Sequence, residues 1–335
     1  DHSNSDTFGP GERVAVLLPL PLAGPYDYRV GPESAYRAGD IVDVPLGART
    51  ATGVVWGPAK GDVEAGRIKD ILSRRDVPPL PAALRRLIDF VSAYTLHPEG
   101  SVLRMALSVP DALEPPKPVR GYALAPVMPS GIKMTPARQR VLKFMSEAPP
   151  LAAADIAREA GCGAAVVKGL ADAGTLVSVD MAPLTDWAGP DPGRPGPVLS
   201  TEQSKAASDL VAAVGGGYKV TLLDGVPGSG KTEVYFEAAA RALALGRQVL
   251  VMLPEIALSA QWLNRFQVRF GTEPALWHSE LTPARRRDTW RAVADGRARV
   301  VVGARSALFL PFNELGLIVV DEEHDGSYKQ EEGVI

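Results

Sequence analysis

The chain of 335 residues contains a single cysteine, Cys162. One sulfur cannot form an internal disulfide, and a thiolate zinc cluster needs several converging, so both are excluded within this sequence. Long apolar runs are missing too: none reaches the roughly 18 residues needed to span a bilayer. The opening stretch, Asp1 to Glu12, is polar and unlike a signal peptide. A cytosolic protein, neither secreted nor embedded, is therefore expected. No excess of one charge sign stands out, with 36 Lys and Arg against 39 Asp and Glu. That balance leaves nucleic acid possible as a partner, because binding follows where basic residues cluster rather than their sum. A composition of 46% hydrophobic and 22% charged residues is that of a folding chain, and its length suggests two or three units.

From Arg13 to Trp56 short β-favouring runs (Val14–Leu18, Tyr26–Val30, Ile41–Val44, Thr52–Trp56) alternate with Pro and Gly, which predicts a small barrel-like β-domain. Leu84, Leu87, Ile88 and Val91 then fall at helical spacing, and a second helix should carry Val102, Leu103 and Leu107. Six prolines between Pro110 and Pro129 predict an extended linker without a regular core element. Thr135 and Pro136 open a helix with Val141, Leu142 and Met145 on its apolar face. Over Leu151 to Val179, helix, glycine turn, helix, glycine and β-run spell a helix-turn-helix with a wing. Pro183 to Pro197, with five prolines, reads as a second linker. Beyond Leu199 the runs Val220–Leu223, Val249–Leu253, Ala275–Trp277, Val300–Val302 and Leu315–Val320 alternate with amphipathic stretches, predicting a parallel sheet wrapped by helices. The expected segments are thus a β-domain with supporting helices (11–110), a linker (111–133), a winged helix (134–182), a Pro/Gly linker (183–198) and an α/β lobe (199–335).

The sharpest chemical feature is Gly225-Val226-Pro227-Gly228-Ser229-Gly230-Lys231-Thr232, a complete phosphate-loop pattern between an apolar run and a helical stretch. Backbone amides of Gly225, Gly228, Ser229 and Gly230 and the helix N-terminus would face one anion. Lys231 would reach the β- and γ-phosphates, and Thr232 would hold Mg²⁺. Six apolar residues, Leu315 to Val320, end at Asp321-Glu322-Glu323-His324, placing acids at the sheet edge where ligands of open α/β sheets bind. Asp321 would hold Mg²⁺ and Glu322 would polarise attacking water. Arg285, Arg286, Arg287, Arg291, Arg297, Arg299 and Arg305 gather between Leu281 and Ser306. Arg285 to Arg291 suit either a DNA-facing patch or a solvated helix face. Asp27 beside Tyr26 and Tyr28 suits either base recognition with stacking or a turn between core tyrosines. His278, Cys162, Trp56 and Trp277 have no convergent chemical partners in the pattern and read as structural.

The order of the phosphate loop, Pro254 to Gln261, Gly303-Ala304-Arg305-Ser306 to Phe312, and Asp321 to Gly333 closely resembles the PriA family of bacterial replication-restart DNA helicases, the primosomal protein N′ family. Leu199-Ser200-Thr201-Glu202-Gln203 resembles the family's adenine-reading segment, with Gln203 as the base contact. Tyr26-Asp27-Tyr28 and Gly39 to Gly47 resemble its domain for the 3′ end of a nascent strand. The resemblance implies a multidomain α/β protein: a DNA-end-binding β-domain, a winged helix and one RecA-like lobe. It also implies ATP and Mg²⁺ as cofactors, 3′ to 5′ movement on DNA, and binding of forks, nascent 3′ ends and single-stranded DNA. Primosome proteins and single-stranded-DNA-binding protein follow as partners, and cytoplasmic, nucleoid-associated work as location. Tyr26, Asp27, Arg305, Ser306, Tyr328 and Lys329 would touch DNA, and His324 would couple nucleotide state to DNA contact.

Members of that family have a second lobe with an arginine finger, a cysteine-rich zinc-binding insertion and a C-terminal domain, none of which lies before Ile335. The chain is therefore expected to be a fragment that binds nucleotide weakly and does not unwind DNA alone, with zinc confined to the remaining part. A non-catalytic fork-binding platform with a nucleotide-sensing loop is the alternative, and a relative of double-stranded-DNA translocases is a third.

Overall fold

A computed structural model describes residues 7–61, 64–115, 119–127, 129, 133–146, 148–181, 187, 189–254 and 259–328. Residues 1–114 together with 187–335 form one compact unit, and 115–186 form another.

The larger unit begins with β1 (Thr7–Phe8), β2 (Arg13–Leu17), β3 (Tyr26–Arg29), β4 (Tyr36–Arg37), β5 (Ile41–Leu46), β6 (Arg49–Pro58) and β7 (Ser73–Arg74). Five of these make an antiparallel sheet in the order β3-β2-β6-β5-β7. The chain before β7 also touches the opposite edge: Asp70 bridges Arg29 of β3, backed by an ion pair at 2.6 Å. Val14, Val16, Val42, Val44 and Val55 fill the interior, as alternation in half-buried strands requires. Helices α1 (Ala82–Thr95) and α2 (Glu99–Ala106) follow, burying Leu84, Ile88, Val102 and Leu103.

In the same unit α6 (Thr201–Ala213) and α7 (Lys231–Ala244) lead to a four-stranded, all-parallel sheet of β11 (Gln248–Met252), β12 (Ala275–Trp277), β13 (Val300–Gly303) and β14 (Leu315–Val320). The order β12-β13-β11-β14 needs crossovers, which α8 (Ala260–Phe270) and α9 (Pro283–Ala294) supply. Successive residues of β11 face opposite cores. Val249 and Val251 pack with Phe236, Trp262, Phe266 and Phe270 from α7 and α8. Leu250 and Met252 join a core shared with Trp290 of α9 and with Leu84, Ile88 and Leu103 of the front helices. The Trp290 indole donates to the Ala106 carbonyl at 2.9 Å, satisfying an orphan acceptor at the end of α2.

Two expectations fail here. Val220–Leu223 forms no strand, and Val220 and Leu222 are 76% and 78% exposed. The run is short and hemmed by Gly215–Gly217 and Gly225, so ordering it on one strand edge costs more entropy than its few apolar side chains offset. Consequently β14, expected as a buried strand, pairs among the described residues only with β11, leaving Leu315, Ile318 and Val320 37% to 44% exposed.

The smaller unit contains β8 (Val119–Leu124), α3 (Pro136–Met145), β9 (Leu151–Ala152), α4 (Ala153–Glu159), α5 (Ala164–Asp172) and β10 (Leu176–Met181). Its sheet, in the order β10-β8-β9, is antiparallel, and its core gathers Val141, Met145, Ile156, Val167, Leu170 and Leu176. The central strand β8 lies inside the stretch expected to be an extended linker. It occupies the proline-free window between Pro118 and Pro126, where every residue can donate to a ladder. Farther along, the proline-rich 189–197 stretch lies against the larger unit, Asp191 donating from its backbone to Phe270 at 2.9 Å.

Candidate nucleotide and nucleic-acid site

The phosphate loop turns on glycines. Gly228 and Gly230 sit at φ 80° and 82°, a region open to glycine at no steric cost, and Gly230 caps α7. A Cβ on Gly230 would fall 2.5 Å from Nε2 of Gln203, so the side chain of α6 and the loop share one tight space. Gln203 completes a capping box with Ser200, accepting from the Ser200 backbone at 2.9 Å, while its Nε2 donates to the Ser229 carbonyl at 2.8 Å. Lys231 Nζ donates to the Gly225 carbonyl at 2.7 Å, across the mouth of the loop.

Asp321 follows β14, and its backbone amide extends the ladder to the Met252 carbonyl at 3.0 Å. Its Oδ2 accepts from the hydroxyl of Tyr235, one turn into α7, at 3.0 Å. The phosphate-loop helix and the acidic motif therefore meet at one sheet edge. The same hydroxyl accepts from the Trp262 indole at 2.8 Å. Burial, with the Asp321 charge second, pushes the Tyr235 phenol far above its ordinary range. Neither Tyr235 nor Trp262 was identified from the sequence. The helical offset of four from Lys231 was the available signal, but it does not distinguish a core tyrosine from a site tyrosine.

Glu322 adopts φ 49°, rare for a non-glycine residue and a mark of local strain. Its amide donates to Asp321 Oδ1 at 3.0 Å, and its carboxylate lies 3.6 Å from Nε2 of His324, both side chains being largely exposed. Tyr328 turns back so that its hydroxyl donates to the Asp321 carbonyl at 2.9 Å. Its phenol is pushed up to about 12 by burial first, then by Asp321, Asp325 and Glu322. Arg305 Nη1 donates to the Tyr328 carbonyl at 3.2 Å, and Ser306 beside it is exposed. Lys329 and Glu255–Leu258 lie outside the described residues.

Most of the basic cluster is engaged within the protein. Arg286 stands over the Trp277 ring, Arg287 pairs with Asp288, Arg297 with Asp295, and Arg299 donates to the Arg247 carbonyl. Arg291 donates to the Glu114 carbonyl, and burial lowers its pKa. In the front domain Tyr26 is 43% exposed, and Asp27 Oδ2 accepts from the Gly61 amide at 3.3 Å. Tyr28 is buried and donates to the Pro45 carbonyl at 3.1 Å, so it belongs to the core.

The loop amides, a lysine, a hydroxyl and a carboxylate suit a nucleotide with a divalent cation. Among the described residues no group of three or more His, Cys, Asp and Glu side chains is placed to hold a metal, so a cation here would lean on phosphates and water as Mg²⁺ does. Also among the described residues, no helix is long and apolar enough to cross a membrane.

Residues 15–108 match the model of the PriA 3′DNA-binding domain, and residues 201–334 match that of the DEAD/DEAH box helicase, a domain that implies nucleotide and metal binding. Replication restart protein PriA of Rickettsia conorii is 35% identical over 327 residues, 96% of this chain and 39% of that protein. The Haemophilus influenzae protein of the same name is 32% identical over 336 residues, 96% of this chain and 45% of that protein. That of Bacillus subtilis is 37% identical over 201 residues, 58% of this chain and 25% of that protein. The chain thus spans less than half the length of these curated relatives. With both domains in order and identity maintained across nearly its whole length, the chain belongs to the PriA family of replication restart proteins, whose N-terminal part it matches.

Proposed function

We propose that this chain is the DNA-binding and first motor part of an ATP-dependent 3′ to 5′ DNA helicase of replication restart, acting in the bacterial cytoplasm at the nucleoid. The carrying observation is the meeting of α7 and Asp321 through Tyr235, which puts loop amides, Lys231, Thr232 and a carboxylate at one edge of a parallel sheet. Lys231 and the amides of Gly225, Gly228, Ser229 and Gly230 bind and orient the phosphate tail; Lys231 exchanges its carbonyl partner for phosphate oxygens. Gln203, at the rim of the loop, reads the adenine by exchanging its bond to Ser229. Thr232 and Asp321 hold Mg²⁺, which when bound neutralises charge on the phosphates. Glu322 polarises the attacking water, and His324 couples nucleotide state to DNA contact.

Arg305 and Ser306 hold backbone phosphates of the tracking strand, which gives binding without base sequence preference. Tyr328, joined to both Arg305 and Asp321, relays strand contact to the nucleotide, and Lys329 extends that contact. Residues 11–110 form a small barrel-like β-domain with supporting helices, in which Asp27 accepts from the terminal base and Tyr26 stacks on it. Residues 134–182 act as a winged helix joined by the 111–133 and 183–198 segments to the front domain and to the RecA-like lobe, 199–335. Forks and nascent 3′ ends are the substrates; primosome proteins and single-stranded-DNA-binding protein are the partners.

In the full-length protein, Lys231→Ala should abolish DNA-stimulated ATP hydrolysis while fork binding persists. Hydrolysis at the wild-type rate in that variant would replace this reading with a fork-binding platform that only senses nucleotide.

A further inference from the structure

We propose that Tyr235 is a positioning residue of the nucleotide site, which pins the Asp321 carboxylate to α7 one turn beyond Thr232, so that Thr232 and Asp321 can face one divalent cation. This rests on the nucleotide-site reading above and adds a residue that the motifs do not contain. A phenol has one hydrogen to give and two lone pairs. Here the hydrogen goes to Asp321 Oδ2 at 3.0 Å, and the oxygen receives the Trp262 indole at 2.8 Å. A buried hydroxyl that both donates and accepts would lose a bond by turning away, so its partners are fixed with it.

The Tyr235 proton occupies one lone pair of Asp321 Oδ2 and the Glu322 amide occupies one of Oδ1, each at 3.0 Å. One lone pair on each carboxylate oxygen remains for a metal. Tyr235 is only 5% exposed, and its ring is clamped edge-on by Phe236 at 5.3 Å, with Trp262 stacked on Phe266 behind it. The bridge thus belongs to the rigid face of the sheet rather than to the loop.

Titration calorimetry of the purified chain with ATP, once in EDTA and once with Mg²⁺, separates positioning from mere packing. Tyr235→Phe keeps the ring and removes the bridging oxygen. It should weaken ATP binding about tenfold when Mg²⁺ is present and leave the EDTA affinity unchanged, the loss expected for one hydrogen bond to a charged group. Trp262→Phe, which removes only the donor behind the phenol, should show the same selectivity at about threefold and carries the test if Tyr235→Phe does not fold. Equal losses with and without Mg²⁺, or no loss in either, would overturn the positioning role. Lys231→Ala should lose affinity in both conditions. If it binds as the unsubstituted chain does, or if that chain binds no ATP, the nucleotide-site reading itself has failed, whereas a loss in Lys231→Ala beside an unchanged Tyr235→Phe sinks the bridge alone.

Discussion

The two candidate binding sites of the larger unit are built by opposite means. At the nucleotide site the chemical side chains are held from behind: Asp321 by Tyr235, Tyr235 by Trp262, and the loop by Gln203. At the front site Tyr26 lies open on a strand and Asp27 has one long bond, 3.3 Å, to the Gly61 amide. A phosphate tail and its cation tolerate little geometric error, so the network that holds their ligands is backed by the buried Tyr235 and Trp262. A strand end is met by stacking and one or two hydrogen bonds, for which an exposed ring beside a carboxylate suffices. Yet both hang on one core, because Trp290 of α9 is sealed against α2.

That contrast can be broken at its common support. Trp290 is 1% exposed, and Trp290→Ala should cost about 3–5 kcal/mol in urea unfolding, impairing both sites together. Loss of one site with the other intact would show that they do not share a core. Next in size, Lys231→Ala removes a half-exposed ammonium and should weaken ATP binding about thirtyfold with the melting temperature unchanged, since its present partner is a loop carbonyl open to water. At the front, Tyr26→Ala and Asp27→Ala should each cut affinity for a free 3′-hydroxyl DNA end by about tenfold, measured by anisotropy against a 3′-phosphate end. ATP binding should not respond, because neither side chain belongs to the shared core; a response would mean that this surface couples directly to the nucleotide site. The smallest effect concerns Tyr28, whose phenol burial raises above its ordinary value of 10.0. Folding favours its neutral form, so its contribution is complete below pH 10 and is lost as the pH climbs past the raised value. Tyr28→Phe should flatten stability in that alkaline range, and an unchanged profile would remove Tyr28 as its source.

Legibility along the chain followed the range of the interactions. The phosphate loop and the acidic motif stood out because each is a local pattern whose residues are neighbours in sequence, whereas Gln203 came only with the family resemblance. Eight strand positions, four in the front region and four in the motor region, were visible from apolar runs and fall where β2, β3, β5, β6, β11, β12, β13 and β14 lie. The same rule misled at Val220–Leu223, where the run is present but its glycine flanks leave it unpaired, and at Val119–Leu124, where surrounding prolines masked a clean strand window. The arginines of α9 suited either a DNA face or a solvated helix face; within the protein Arg291 donates to the Glu114 carbonyl and Arg286 stands over Trp277.

Resemblance of motifs was enough for the family, and spacing for the phosphate-loop chemistry and the alternation of strands with helices, since period and motif are properties of neighbouring residues. Which side chains stand behind the site came from folding. Tyr235 meets Asp321 across 86 residues and Trp290 meets Ala106 across 184, and no short window of chain contains both partners of either bond. Buried polar groups must find partners wherever the core places them, so those pairings are dictated by packing and emerge only once the sheet and its helices have closed.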